Sequence, residues 1–212
     1  MTARPTRKPL HIYHHGDLRD ALVQAALAEV ELGGPEAINI SALAKRLGVS
    51  QSAPYKHFAD RETLLTAVAV EALRQFTATV REAIEEPSKR SKLSRFAHAT
   101  LDFGLRRNGL YRLMFASRVM ACMPENSELH GAAMETFGLL VEMLEAPAVG
   151  YLRERSALKI WAALHGVVML AEQGLLTGQL GHFSREDLVE DIVAEAKLSL
   201  SLAIKSAGAD AR

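Results

Sequence analysis

The stretch ISALAKRLGVSQSAPYKHFADRETLL, Ile40 to Leu65, decides how the rest of this chain is read. Ser41 is placed to cap a two-turn helix whose Leu43, Ala44 and Leu47 face inward. Gly48 then supplies the backbone freedom that a tight turn between helices needs, and Val49 plugs the corner. Ser50 is expected to cap a second short helix from Gln51 to about Phe58, anchored inward by Phe58. That leaves Gln51, Ser52, Tyr55, Lys56 and His57 outside. The small Ala44 lets two helices cross closely and steeply, as in a helix-turn-helix, where the second helix is presented to a DNA major groove.

Outward from that motif the pattern stays helical. Apolar residues recur at helical spacing, alternating β-branched runs are few, and single Gly or Pro breaks separate long segments, so the chain is expected to be all-α with about nine helices. Upstream, Leu18, Leu22, Ala26 and Val30 stripe a helix from about Asp17 to Leu32, stopped by Gly33-Gly34-Pro35. Downstream, Asp60 to Glu86 reads as one long amphipathic connecting helix ending at Pro87. Further helices are expected at about 90–107, 109–121, 125–145, 154–177 and 184–206. Pro124 is assigned to a first helical turn and Ser184 to an N-cap.

The domain plan is then a basic N-terminal arm over 1–16 and a three-helix DNA-binding domain over 17–62. A second helical domain follows over 63–206, to which the resemblance described below gives ligand sensing and dimerisation, with a frayed tail at 207–212.

Totals constrain this reading without deciding it. The 212 residues are 49% apolar, enough for a packed core, and the 25 basic and 25 acidic residues are interspersed. In the first sixty residues, Arg4, Arg7, Lys8, Arg19, Lys45, Arg46 and Lys56 barely exceed Asp17, Asp20, Glu29, Glu31, Glu36 and Asp60. Composition therefore does not announce nucleic-acid binding, and the DNA argument rests on pattern. The lone Cys122 excludes an intramolecular disulfide, and no uncharged stretch exceeds about a dozen residues, too short for a transmembrane helix. A reducing cytoplasm is the expected compartment, with no membrane association.

SALAKRLGVSQSAPYKHFADRETLL resembles the DNA-binding domain of the TetR family of regulators, over about Asp17 to Leu73. The resemblance implies double-stranded operator DNA as partner, with contacts from Ser41, Gln51, Ser52, Ala53, Tyr55, Lys56, His57 and Arg61. Tyr55, Lys56 and Arg61 would meet mainly phosphates, and Gln51 and Ser52 would lie nearest the bases. Pro54 departs from the commonest family pattern and removes a backbone donor about one turn into the recognition helix. In the C-terminal half, WAALHG at Trp161 to Gly166 resembles the Trp-His-Gly signature of one TetR subfamily, and LYRLMF at Leu110 to Phe115 is compatible with it. This implies a homodimer through the last two helices, paired as a four-helix bundle.

The expected function is a transcriptional regulator, a repressor that a small apolar or amphipathic effector releases from a palindromic operator. Candidate pocket residues are Phe103, Tyr111, Met114, Phe115, Met134, Phe137, Trp161 and His165, with Met143 also considered. Some of these must simply fill the core. Arg4, Arg7 and Lys8 read equally as a groove-binding arm or a solubilising tail. His11, His14 and His15 lack the accompanying ligands of a metal site, and His98, His165 and His182 are assigned to core or pocket wall. Cys122 has no cation beside it in sequence to stabilise a thiolate, so redox sensing is not assigned. No metal, cofactor or catalytic group is expected: no nucleotide loop, paired metal motif or nucleophile elbow is present. A helical carrier, an enzyme, or a dimeric adaptor without operator binding are the competing classes, and none of them explains the N-terminal pattern.

Overall fold

Leu18, Leu22, Ala26 and Val30 are all buried along one side of α1 (His15–Gly33), as their spacing requires. A computed structural model describes residues 15–144, 150–177 and 181–209. The expected arm, with Arg4, Arg7, Lys8, His11 and His14, lies outside the described residues apart from its last two positions. Nine α-helices and two 3-10 turns make up the described residues, which include no strand.

Gly34, at φ 76°, ends α1 and leads into a 3-10 turn, Pro35–Ala37. The next helix, α2 (Ile40–Leu47), is capped by Asn39, whose side chain accepts the Ala42 N–H at 3.0 Å. Ser41, the expected cap, is instead exposed in the first turn. Asn39 wins because it sits one residue before the first helical φ/ψ, where a side-chain oxygen can reach the third amide on. Gly48 closes α2 in the left-handed region at φ 70°, and the Val49 amide reaches back to the Ala44 carbonyl at 3.0 Å.

The long helix α3 (Arg61–Glu85) follows, about 37 Å from end to end at the α-helical rise. Asp60 caps it twice over, accepting the Thr63 amide and hydroxyl, each at 2.7 Å, and those bonds hold its carboxyl below the usual range. Its buried residues run from Leu64 through Phe76 to Val80, so one rod serves the cores of both halves.

Around it pack α4 (Lys92–Arg106) on one side and α7 (Glu128–Glu142) on the other. Arg74–Glu128 and Arg81–Glu135 ion pairs, both at 2.8 Å, bracket the α3–α7 seam. Helices α8 (Gly150–Glu172) and α9 (Arg185–Ala209) pack on each other and on α4. Ser184 caps α9 as expected, accepting the Asp187 amide at 3.2 Å. The helix runs through Ala209, past the expected end at 206.

Two expected elements after α3 differ. The helix over 109–121 is broken into α5 (Asn108–Phe115) and α6 (Arg118–Ala121), because the Ser117 hydroxyl bonds both the Leu113 carbonyl and the Val119 amide. Pro124 does not open α7. It lies in the preceding turn, and Ser127 caps the helix by accepting the His130 amide at 3.1 Å.

The two halves are joined by more than α3. A Cβ on Gly109, at the start of α5, would lie 1.9 Å from the Val30 carbonyl oxygen of α1, so only glycine permits this approach. Beside it, Arg107 forms a two-pronged bond to Glu31 at the end of α1, 2.6 and 3.2 Å long. Its third donor reaches Gln75 of α3 at 2.8 Å.

Candidate DNA-reading surface and effector core

The expected recognition helix is not an α-helix. Residues 51–53 form turns, and Pro54–Lys56 is a single 3-10 turn. Ala53 N–H bonds Ser50 at 3.0 Å, but Pro54 has no N–H to continue an α-helical ladder; Lys56→Ala53 and His57→Pro54 are the tighter i−3 bonds, and only Phe58→Pro54, at 3.0 Å, has the α-helical i−4 span. Ser50 does not cap this turn; its hydroxyl faces that of Ser52 at 3.2 Å. Pro54 and Phe58 are both buried, which pins the segment at two points, and the Arg19 guanidinium of α1 lies 5.5 Å from the Phe58 ring.

Between and beside those pins, Gln51, Ser52, Tyr55 and Lys56 are exposed while Ala53 and His57 are half-buried. Gln51 donates to the Ser41 carbonyl at 3.4 Å, so the start of α2 and the turn form one continuous polar ridge. Lys45 stands one helical turn after Ser41 on the exposed side of α2, a candidate that the sequence reading passed over; its signal is the i, i+4 spacing. The ridge thus offers amide, hydroxyl and ammonium groups, the chemistry that meets phosphates and base edges.

Arg61 sits apart. Its guanidinium donates to the carbonyls of Ile38, at 3.2 Å, and Pro35, and a third donor faces Glu62 at 3.0 Å. This staples the first turn of α3 to the α1–α2 connection, with two of the five N–H groups of a guanidinium left over.

In the C-terminal half an aromatic cluster converges. Phe115 lies edge-on to Tyr111 at 4.9 Å, Trp161 at 4.7 Å and Phe76 at 5.8 Å, and Phe137 approaches Trp161 at 6.4 Å. His165 stacks on Tyr111 and shares a 3.2 Å hydrogen bond with its hydroxyl. Burial pushes the Tyr111 hydroxyl upward and the His165 imidazole downward, so both stay neutral at pH 7.

The void at the centre, bounded by Phe76, Phe96, Thr100, Tyr111, Phe115, Trp161 and Leu164, measures about 10 Å³. That is too small for anything beyond a water. Of the other candidates, Met114 is fully buried core and Phe103 packs edge-on to Phe76 at 5.0 Å outside the void. Met134 is 49% exposed on α7, and Met143 lies in a separate groove with Leu93 and Lys197. Phe76, Phe96, Thr100 and Leu164 were missed because long apolar helices give no sequence signal separating a pocket wall from core. His98 hydrogen-bonds Glu190 at 2.8 Å, whereas His182 is exposed against Phe183 rather than in the core.

Comparison with known proteins places both halves. Residues 22–68 match the model for bacterial regulatory proteins of the tetR family, and residues 93–196 match the tetracyclin repressor-like C-terminal domain. The chain belongs to the TetR family. TetR-family members are DNA-binding, dimeric transcriptional regulators with ligand binding in the C-terminal domain, and this chain is one with a helix-turn-helix head. The sensor match is to the tetracyclin repressor-like C-terminal domain.

Among solved structures, a Rhodococcus protein of unknown function is 28% identical with a TM-score of 0.72, covering 90% of this chain and 99% of that one. A TetR-family regulator from Streptomyces coelicolor, 16% identical, has a TM-score of 0.65 over 90% of this chain and 85% of that one. One from Marinobacter aquaeolei, 22% identical, has a TM-score of 0.55 over 82% and 94%. The last two bear on fold alone. No curated protein matches the sequence. No helix among the described residues of this TetR-family chain is long and apolar enough to cross a membrane.

Proposed function

We propose that this TetR-family regulator is a homodimeric repressor that reads a palindromic operator and is released by a small effector entering the aromatic core. The observation that carries the reading is the pairing of a rigid polar ridge with a sensor bolted to it. Ser41, Gln51, Ser52, Ala53, Tyr55, Lys56 and His57 supply the ridge, with Lys45 added at phosphates. Arg61 acts by holding that ridge in place rather than on DNA.

Release follows from the size of the central void. An effector fits only if Phe115, Trp161 or a neighbour moves, so it favours a second arrangement of the sensor helices over the one with a 10 Å³ void. Differential affinity for two arrangements is what shifts a population between them. The shift reaches the head because α5, which carries Tyr111 and Phe115, begins at the Gly109 contact with α1. Two heads held about one DNA turn apart then lose their register.

The test is binding of the purified protein to DNA flanking its own gene across a salt series, with random DNA as competitor. The expected result is selective protection of a palindrome, with Lys56→Ala weakening all sequences alike and lowering the salt slope by about one. Affinity equal to that for random DNA throughout the neighbouring genes would overturn the reading.

A further inference from the structure

A groove of about 460 Å³ runs between α3, the α3–α4 connection and α4, separate from the aromatic void. Its floor is apolar, with Ala83, Ala99 and Phe103, and basic side chains outnumber the acidic Glu86 and Asp102 along its rim. At the far end Arg95 donates through one amino group to the Glu86 carbonyl, while its Nε is buried with no acceptor among the described residues. At the end nearer the DNA-binding head stand exposed Arg106 and half-buried Arg107.

Arg107 is the informative member. It lines the groove, lies 5.3 Å from the Phe103 ring on the groove floor, and is at the same time the residue that grips Glu31 of α1. Any anion seated in the groove competes with the Glu31 carboxylate for one guanidinium fork. Phe103 in turn touches Phe76, which walls the central void. The groove therefore shares a wall residue's contact with the aromatic core on one side, through Phe103 and Phe76, and the Arg107 side chain with the head clamp on the other.

From this juxtaposition we infer that the α3–α4 groove binds the anionic head of an amphipathic ligand, a carboxylate or phosphate on an apolar chain, between Arg106 and Arg107. The head draws Arg107 away from Glu31, and the chain lies along Ala99 and Phe103. Release of Glu31 loosens the end of α1, where the Gly109 contact and the longer Arg112–Glu36 pair at 3.5 Å remain beside the packing of α1 on α3 and α5. The inference rests on the repressor reading for its consequence at DNA, but the binding step stands without it.

The probes are decanoate, decyl phosphate and decanol, each below its micellar limit. Binding is read from the fluorescence of Trp161, the sequence's single tryptophan, and release from operator occupancy. Either or both anions are expected to act at concentrations about tenfold below decanol, the value of a charge-assisted bond, and their ranking distinguishes carboxylate from phosphate. Arg106→Gln should erase the preference over decanol while leaving operator affinity without ligand unchanged. Glu31→Gln, which removes the competitor, should lower the anion concentration needed. Decanol equal to the anions, no response to any probe, or no effect of either substitution on the anion preference overturns the inference. If the fluorescence preference appears but the protein selects no operator, the repressor reading has failed and the anion site has not.

Discussion

His165 is held neutral by burial beside Tyr111, and this makes folding stability depend on pH in a defined direction. In the unfolded chain the imidazole takes up a proton near its ordinary value of 6.5, whereas the folded protein resists that proton to lower pH. The stabilisation is complete above the ordinary value and is lost as pH falls below it, because the unfolded state then binds the extra proton. His165→Gln keeps an acceptor for the Tyr111 hydroxyl and removes the titration. The decline in urea midpoint between pH 7 and pH 5 should be shallower in that variant than in the parent; identical slopes would show that the imidazole protonates freely in the folded state. At this scale residue type was legible in the sequence, and position only in part. Tyr111, Phe115, Phe137, Trp161 and His165 converge as expected, while Met134 points out, because the exposure of a helix face depends on which neighbour covers it. Arg61, expected at phosphate from its place in the motif, also bonds the carbonyls of Pro35 and Ile38, a tie to residues too distant in sequence to leave a local signal.

Long helices and the eight-residue α2 were legible, whereas the recognition segment and the α5–α6 stretch were not. The 25 residues of α3 were readable almost to the residue, since an acidic cap at Asp60 and a break at Pro87 bound an unbroken amphipathic run. The recognition segment failed as an α-helix because one missing donor at Pro54 weighs heavily in so short an element, and α5–α6 was split by a serine that looked neutral in sequence. Tertiary ties between elements left no trace in the local pattern. The Thr77–Thr136 pair is one, a buried 2.6 Å hydrogen bond linking α3 to α7. Thr136 gives its own proton to the Ala132 carbonyl at 3.1 Å, which makes Thr77 the donor between them. Thr136→Val therefore strands a buried O–H and should cost about 1–2 kcal/mol, whereas Thr77→Val removes only a second bond to an already engaged oxygen and should cost less than about 1 kcal/mol. The double variant, with no stranded donor, should be more stable than the sum of the two losses implies. Chemical denaturation of the three proteins measures this cycle; strict additivity would mean that Thr77 finds another acceptor.

On the surface of the whole molecule, α8 and α9 leave apolar side chains facing solvent. Tyr151, Leu158, Ala162, Gly166 and Leu170 follow one another at helical spacing along α8, and Leu158 is 60% exposed. On α9, Leu198 is 61% exposed, with Leu202 one turn beyond. A Cβ on Gly166 would meet nothing within 4 Å, so the centre of the stripe is open for another helix to approach closely. Each leucine taken out of water contributes roughly 1.5–3 kcal/mol, and a twofold axis doubles the count, so a second copy of this face is the natural cover. The consequence for DNA is larger than the interface itself. Once one head is bound, a dimer holds the other at high effective concentration over the second half-site, an advantage on the order of 10²- to 10⁴-fold that two separate heads do not share. Leu158→Glu combined with Leu198→Glu places repelling charge on both helices without touching the head. The variant should run as a folded monomer in light scattering at micromolar concentration, and its operator affinity should fall by at least about 100-fold while its weak binding to random DNA persists. A variant that remains dimeric and binds the operator as the parent does would place the interface on another face and detach operator affinity from α8 and α9.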